Sequence, residues 1–361
     1  MSLLSTVLDR VRPSFSQGGK LTRLYPVFQA LDHFLYAAPG RTENAPFGRD
    51  PLDVKRYMSL VILALAPSFI ASVYFFGWRV LAMLVVSYVA GGALEVLFAV
   101  VRKEEINEGF LVTGFIFPLI LPPGLPLWMV AVGVLFGVLI GKEVFGGTGR
   151  NLFNPALVGR VFLAMGYPAA MGMRWIEPLP GIWGRLGASF MLRAPEAVTS
   201  ATPLAQAKGG TIVPWFDLLV GRTLGSAGET SAVAILLGGL FLLVVGIASW
   251  RTVLAFLASF ALLAAVLNVA VPGAAPAWFH LLSGGALFGA FFMATDPVSS
   301  PVTASAKWAY GALIGAVTIL IRSFSGFVEG IMFAILMGNI FAPLFDEIVI
   351  RARRRRYAHG S

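Results

Sequence analysis

The sequence predicts an all-α integral membrane protein of about ten transmembrane helices, arranged as two inverted five-helix repeats. Three observations lead there. Of the 361 residues, 57% are hydrophobic and only 12% are charged. Soluble domains carry about 25% charged and about 45–50% apolar residues, so lipid must cover much of a surface this poor in charge. The apolar residues fall in long blocks, most of them near the roughly 20 residues that a bilayer core demands. The blocks of the second half also repeat the pattern of the first.

The first 57 residues are polar and read as a cytoplasmic arm, with no apolar core leading to a small-residue cleavage site and hence no signal peptide. Repeat 1, residues 58–166, holds blocks at 58–76, 80–101, 110–121, 127–141 and 152–165. A polar stretch, 167–230, follows. Repeat 2, residues 231–350, holds blocks at 232–250, 253–271, 278–294, 308–321 and 327–345, before a basic tail at 351–361. Several blocks are shorter than a full span and read as re-entrant or buried segments.

In each half, two full-length blocks precede a short one that ends in prolines: Pro122 and Pro123 in the first, Pro297 and Pro301 in the second. A block led by Trp128 or Trp308 comes next, and the fifth carries Asn and Pro, as Asn154-Pro155 and as Asn339 with Pro343. Five spans per repeat is an odd number, so the second half is inverted relative to the first. Paired short, Pro-interrupted segments in inverted repeats point to a mid-membrane site. The alternative is that the prolines merely end helices near the surface.

Charge sets the orientation. One side collects the arm, Arg102, Lys103, Lys142, Arg150, Arg251, Lys307 and the arginines of the tail, whereas the other has Arg79, Arg322 and uncharged loops. The positive-inside rule then makes both termini cytoplasmic in a bacterial inner membrane and turns 167–230 outward, since long loops escape that rule. The net charge of +9 reads as these cytoplasmic flanks and not as a nucleic-acid surface. The absence of cysteine excludes disulfides, thiolate-held iron–sulfur clusters and thioether-linked haem. Three scattered histidines suggest no metal site, so any redox chemistry needs an organic cofactor.

Charged side chains within apolar blocks cost roughly 2.5–3.5 kcal/mol each at the membrane centre on insertion scales. Four stand out: Glu95, Arg160, Asp296 and Asp346. Gly91 and Gly92 precede Glu95 by helical spacing, which leaves a groove beside a carboxylate for a flat ring or a neighbouring helix. The competing reading is small-residue helix packing, with Glu95 paired to Arg79 or Arg160. Asp296 and Asp346 end their blocks and also read as membrane-boundary carboxylates. The glycine-rich run 142–151 reads as a tight turn whose amides offer contacts to a polar ligand. The run 225–229 reads as a helix-entry turn or an anion cradle. Residues 196–204 read as a small-residue polar loop with Thr202 as a helix N-cap and Pro203 at the first helical position.

That last stretch carries a resemblance. Thr199-Ser200-Ala201-Thr202 with Glu196 upstream resembles the flavin-attachment signature of membrane redox pumps, an Asp followed by Ser/Thr-Gly-Ala-Thr. Residues 102–110, 142–151, Asn154-Pro155-Ala156-Leu157, 293–299, 307–311, 341–346 and the N-terminal 18–21 are similar to the B subunit of the sodium-translocating NADH:quinone oxidoreductase. The D subunit of the Rnf complex shares the flavin motif and the fold but generally lacks the long arm and the 107–110 wording, and is the alternative within the family.

The resemblance implies FMN joined by a flavin transferase to Thr202 through a phosphoester. It also implies a non-covalent riboflavin at Asn151 and Asn154, ubiquinone near Gly91, Gly92 and Glu95, and a sodium path through Asp296, Asp346 and Glu95. Electrons would pass from FMN through riboflavin to ubiquinone, coupled to sodium export, in a complex with other membrane and peripheral subunits. Three positions depart from the pattern: Glu196 stands for Asp, Ser200 for Gly, and Gln29 for an acid of the N-terminal helix. A solute channel or transporter, or a purely structural membrane subunit, are the readings from other classes. Covalent flavin fluorescence separates the channel from the pump.

Overall fold

Each of the ten apolar blocks becomes helical in the computed structural model, which describes residues 54–103, 109–178, 201–271, 273–327 and 329–359. The first half contains α1 (Val54–Phe76), α2 (Trp78–Arg102), α3 (Gly109–Leu119), α4 (Leu127–Gly141) and α5 (Pro155–Gly166). Three short helices follow, α6 (Pro168–Met173), α7 (Pro203–Lys208) and α8 (Trp215–Val220). The second half contains α9 (Ala232–Val245), α10 (Trp250–Ala270), α11 (Ala277–Leu282), α12 (Ala286–Phe288), α13 (Ala304–Phe324) and α14 (Ile331–His359). Among the described residues there is no strand. Six helices, α1, α2, α4, α10, α13 and α14, are long and apolar enough to cross a membrane. Three more, α3, α5 and α9, are apolar but shorter. The chain is therefore a multi-pass membrane protein.

The halves are built alike. In the first, α2 packs on α3 and α4, α4 on α5, and α1 on α3; in the second, α10 packs on α11 and α13, α13 on α14, and α9 on α12. The two units meet where α1 packs on α9 and α5 on α14. Glycine permits the closest approaches. A Cβ on Gly159 of α5 would run into the Gly133 carbonyl oxygen of α4, and one on Gly311 of α13 would run into the Thr252 carbonyl oxygen of α10. The hydroxyl of Tyr310 and the side-chain amide of Asn339, both fully buried, lie 2.7 Å apart.

The short third and eighth blocks end inside the protein. Beyond α3, Ile120 and Leu121 are fully buried, so the carbonyls at its C-terminal end need donors. They are supplied from afar: the amide of Gly228 donates to the Leu119 carbonyl at 2.7 Å, and that of Ala227 to the Leu121 carbonyl at 3.0 Å. Arg79 Nε donates to the Pro123 carbonyl at 2.9 Å and Nη2 to the Leu125 carbonyl at 2.7 Å. The turn at 225–229 is thus a cap for a broken helix, and two of its amides are not free to cradle an anion. The eighth block breaks at Ser283 and Gly284 and then runs from α12 into a π turn, Gly289–Met293. Such π segments are frequent at functional sites.

Two block boundaries move. The sixth block stops at Val245, where Gly246 turns the chain at φ 82°. The tenth helix starts at Ile331 and runs without a break to His359. Arginine is a good helix former, and extending an existing helix is cheap, so the basic tail continues α14.

Candidate functional site

The loops assigned to one side by charge come together around one cavity. It is a partly open cleft of about 720 Å³, counted with the solvent space at its mouth. Its wall includes Tyr57 of α1, Lys142, Thr148 and Asn151 of the turn after α4, Asn154 at the start of α5, and Asp296 after the π turn.

Asn154 is there because it starts a helix. Its Oδ1 accepts from the amides of Ala156 at 3.0 Å and Leu157 at 3.4 Å, with Pro155 at the first helical position. That use of the oxygen leaves Nδ2 as the donor of this side chain. Asn151 is arranged the other way: its Nδ2 donates to the Phe153 carbonyl at 3.0 Å, which leaves Oδ1 as an acceptor. The two asparagines thus offer one donor and one acceptor among the residues lining the cavity.

Glu95 pairs with neither Arg79 nor Arg160. Its Oε1 accepts from Lys142 Nζ at 2.5 Å, and both side chains are buried. Arg79 is occupied by loop carbonyls, and Arg160 lies with other carboxylates. The groove beside Glu95 is filled by an aromatic ring: a Cβ on Gly91 would lie 2.5 Å from the ring of Phe110, and one on Gly92 would lie 3.5 Å from it. Next to Glu95, Glu143 accepts from Arg102 Nη1 at 2.7 Å and so ties the turn to the end of α2.

Asp296 is on the cavity wall. Its Oδ2 accepts from the Ser299 hydroxyl at 2.6 Å and its Oδ1 from the Val298 amide at 3.3 Å. Asp346 is not among the residues lining that cavity. Its oxygens accept from the amides of Val302 and Thr303, both at 2.8 Å, and from the Thr303 hydroxyl at 2.6 Å, which holds the start of α13.

Thr202 belongs to a second group, assembled from loops of the opposite side. It is the N-cap of α7, and its hydroxyl accepts weakly from the Ala205 amide at 3.4 Å. Glu196, Thr199, Ser200 and Gln29 lie outside the described residues. Thr202 borders a small cavity with Thr223, Ser226, Glu229, Gly284 and Glu329. At its base Arg160 donates to Glu229 at 2.9 Å, to Ser226 at 3.1 Å and to Glu329. Burial pushes the Glu229 carboxyl up, and Arg160 pulls it back.

The NQR2, RnfD, RnfE family matches residues 41–355. A relative from Azotobacter vinelandii is 39% identical over 411 residues, and one from Pseudoalteromonas atlantica is 40% identical over 411, each covering 98% of both chains. A third, from Klebsiella pneumoniae, is 37% identical over 425 residues, covering 99% of this chain and 100% of its own. All three are named as the B subunit of Na(+)-translocating NADH-quinone reductase. The chain belongs to the NQR2, RnfD, RnfE family.

In this NQR2, RnfD, RnfE family member, sequence reasoning did not find the partners of its buried charges. Arg160 stood out as a charge within an apolar block, but its counter-charges lie 69 and 169 residues away. A faint signal existed: Glu229 and Glu329 each stand just ahead of an apolar helix, α9 and α14. Lys142 was legible only as a loop cation, since nothing local shows that its turn folds back onto α2. Among the described residues no group of three or more His, Cys, Asp or Glu is placed to hold a metal.

Proposed function

We propose that this chain is the B subunit, a membrane-embedded component, of a sodium-translocating NADH:quinone oxidoreductase of a bacterial inner membrane. In this reading both termini are cytoplasmic, FMN is joined to Thr202 through a phosphoester, and riboflavin is held non-covalently at Asn151 and Asn154. The observation that carries the reading is full-length similarity to proteins of that name, together with a Thr202 hydroxyl that is only weakly held at a cavity mouth. A flavin transferase needs such a hydroxyl, and the remaining subunits are the partners that deliver NADH-derived electrons.

The bound flavins supply one- and two-electron transfer; the chain supplies position. Thr202 fixes one flavin to the outward side. Asn154 Nδ2 and Asn151 Oδ1 orient the other on the cytoplasmic side. The quinone region is placed on the stretch of α2 that carries Gly91, Gly92 and Glu95, against the Phe110 ring that fills the groove at Gly91, with Lys142 as the counter-charge of Glu95. Asp296, Asp346 and Glu95 line the sodium path, since a hard cation takes carboxylate and carbonyl oxygens. The Arg160–Glu229–Glu329 group holds the loops beneath Thr202 on the ends of α9 and α14.

Mass spectrometry of the chain expressed with and without the flavin transferase tests the attachment. The expected result is a mass increase by one FMN residue that maps to Thr202, with loss of in-gel flavin fluorescence in Thr202→Ala and partial retention in Thr202→Ser. A fluorescent band in Thr202→Ala overturns the assignment. The family also includes RnfD, and oxidation of NADH by quinone, as opposed to reduction of NAD+ by ferredoxin, distinguishes the two complexes.

A further inference from the structure

Helix α14 outruns the bundle it belongs to. Its first half lies inside the protein, with Ile331, Ala334, Ile335 and Asn339 fully buried. Farther along, Ile340, Leu344 and Ile348 form an exposed apolar stripe at the helical spacing of four residues. Residues 331–350 rise about 30 Å, the thickness of a bilayer core, so the stripe meets acyl chains and the residues after it meet headgroups. Asp346 marks where the bundle ends, because its carboxylate holds Val302 and Thr303 at the start of α13. Arg351 lies about 7 Å farther out along the axis.

From there the chain reads Arg351-Ala352-Arg353-Arg354-Arg355-Arg356 and remains helical. Arg351, Arg353, Arg354 and Arg355 are exposed. Arg351 bonds Glu347 one turn back at 2.6 Å, whereas Arg353, Arg354 and Arg355 have no ion pair or hydrogen bond among the described residues. At 3.6 residues per turn these four cations circle the helix axis. A partner protein meets one side of a helix, and a site built for it gathers its cations there. A headgroup layer surrounds the helix, and a ring of cations is its complement. The neighbouring rim has the same character. Trp250, at the start of α10, is 51% exposed, lies edge-on to Trp308 of α13 at 5.7 Å and carries the Arg251 guanidinium 4.8 Å above its ring. Tryptophan and basic residues gather at the membrane–water boundary.

We propose that the arginine ring of α14 binds anionic phospholipids of the leaflet into which the helix emerges. Clusters of basic residues directly beyond a membrane helix attract acidic headgroups, and the attraction fades within a screening length. The lipid phosphates are the counter-charges that Arg353, Arg354 and Arg355 lack within the chain. Helix α14 is then held at both ends, by Arg160 through Glu329 at its start and by headgroups at its tail. That this leaflet is the cytoplasmic one rests on the topology proposed above; the binding itself does not.

The test uses contact quenching in the purified full chain. The chain has no cysteine, so Ala352→Cys, at an exposed position within the arginine run, gives a single site for a fluorophore. The labelled chain is placed in bilayers of equal parts phosphatidylcholine and phosphatidylglycerol, with a trace of either lipid carrying a nitroxide quencher. Labelled phosphatidylglycerol is expected to quench about threefold more strongly than labelled phosphatidylcholine. The preference should vanish in about 1 M KCl, where the screening length is about 3 Å. Changing Arg353, Arg354 and Arg355 together to Gln should abolish it, and changing the same three to Lys should keep it, because a fluid headgroup layer reads charge and not the planar fork. Equal quenching by the two lipids in the arginine chain overturns the proposal, and so does a preference that survives in the Gln variant. Loss of the preference in the Lys variant marks a shaped protein site and overturns it as well. If the Gln variant does not insert, the salt titration of the arginine chain decides: a preference that persists in KCl, or no quenching by either lipid, places the tail away from the headgroups.

Discussion

Lys142 Nζ lies 2.5 Å from Glu95 Oε1, which joins the turn after α4 to the last third of α2 through two buried charges. Removing one partner of a buried pair strands the other and typically costs about 3–5 kcal/mol. Lys142→Met should therefore destabilise the complex strongly. Adding Glu95→Gln to it should restore much of the loss, because a neutral amide needs no counter-charge. Thermal inactivation of the single and double variants measures this. Strictly additive effects would show that the two residues act independently.

Gly91 and Gly92 should part company. A Cβ on Gly91 meets the Phe110 ring at 2.5 Å and Val134 at 3.0 Å, whereas a Cβ on Gly92 makes an ordinary contact at 3.5 Å. Overpacking typically costs about 1–3 kcal/mol, so Gly91→Ala is expected to lower stability and Gly92→Ala to leave it unchanged. Gly92→Leu is then the clean probe of the quinone region. It should raise the quinone KM while NADH still reduces the flavins. Loss of flavin reduction with an unchanged quinone KM would assign the pair to helix packing instead.

Asp296 and Asp346 need isosteric variants, because both already accept local hydrogen bonds. Asp346→Ala deletes three bonds that hold the start of α13 and is expected to cost about 0.5–2 kcal/mol, as other helix-start caps do. Asp346→Asn keeps oxygen acceptance and removes the charge. In Asp296→Asn and Asp346→Asn the half-saturation of turnover by sodium should rise, with the flavins attached and the quinone KM near normal. Sodium curves that superimpose on wild type in both variants would leave these residues with their helix-end role alone.

Topology has a direct readout. Lys208 is exposed on α7, near Thr202, and the cavity of Lys142, Asn151 and Asp296 is built from the loops of the other side. A reporter at Lys208 is expected to read periplasmic and one after Arg356 cytoplasmic. Both reporting from the same side would overturn the ten-segment path.

The sequence by itself determined the class of solvent, the ten apolar segments, the two-fold plan and the identity of Thr202 as a helix start. These are local properties: block length follows bilayer thickness, and an N-cap is fixed by the few residues after it. The repeated packing of α2 on α4 and of α10 on α13 followed from that plan. Only the tertiary structure decided which charges meet. Glu95 found Lys142 where Arg79 or Arg160 was expected, Arg160 found Glu229 and Glu329, and Arg79 closed the broken end of α3. It also decided that Phe110 fills the groove at Gly91. Electrostatic pairing depends on distance in space, and loops that return from opposite ends of the chain set that distance. No window of the sequence contains both partners, so the period of the helices could announce a buried charge but not its answer.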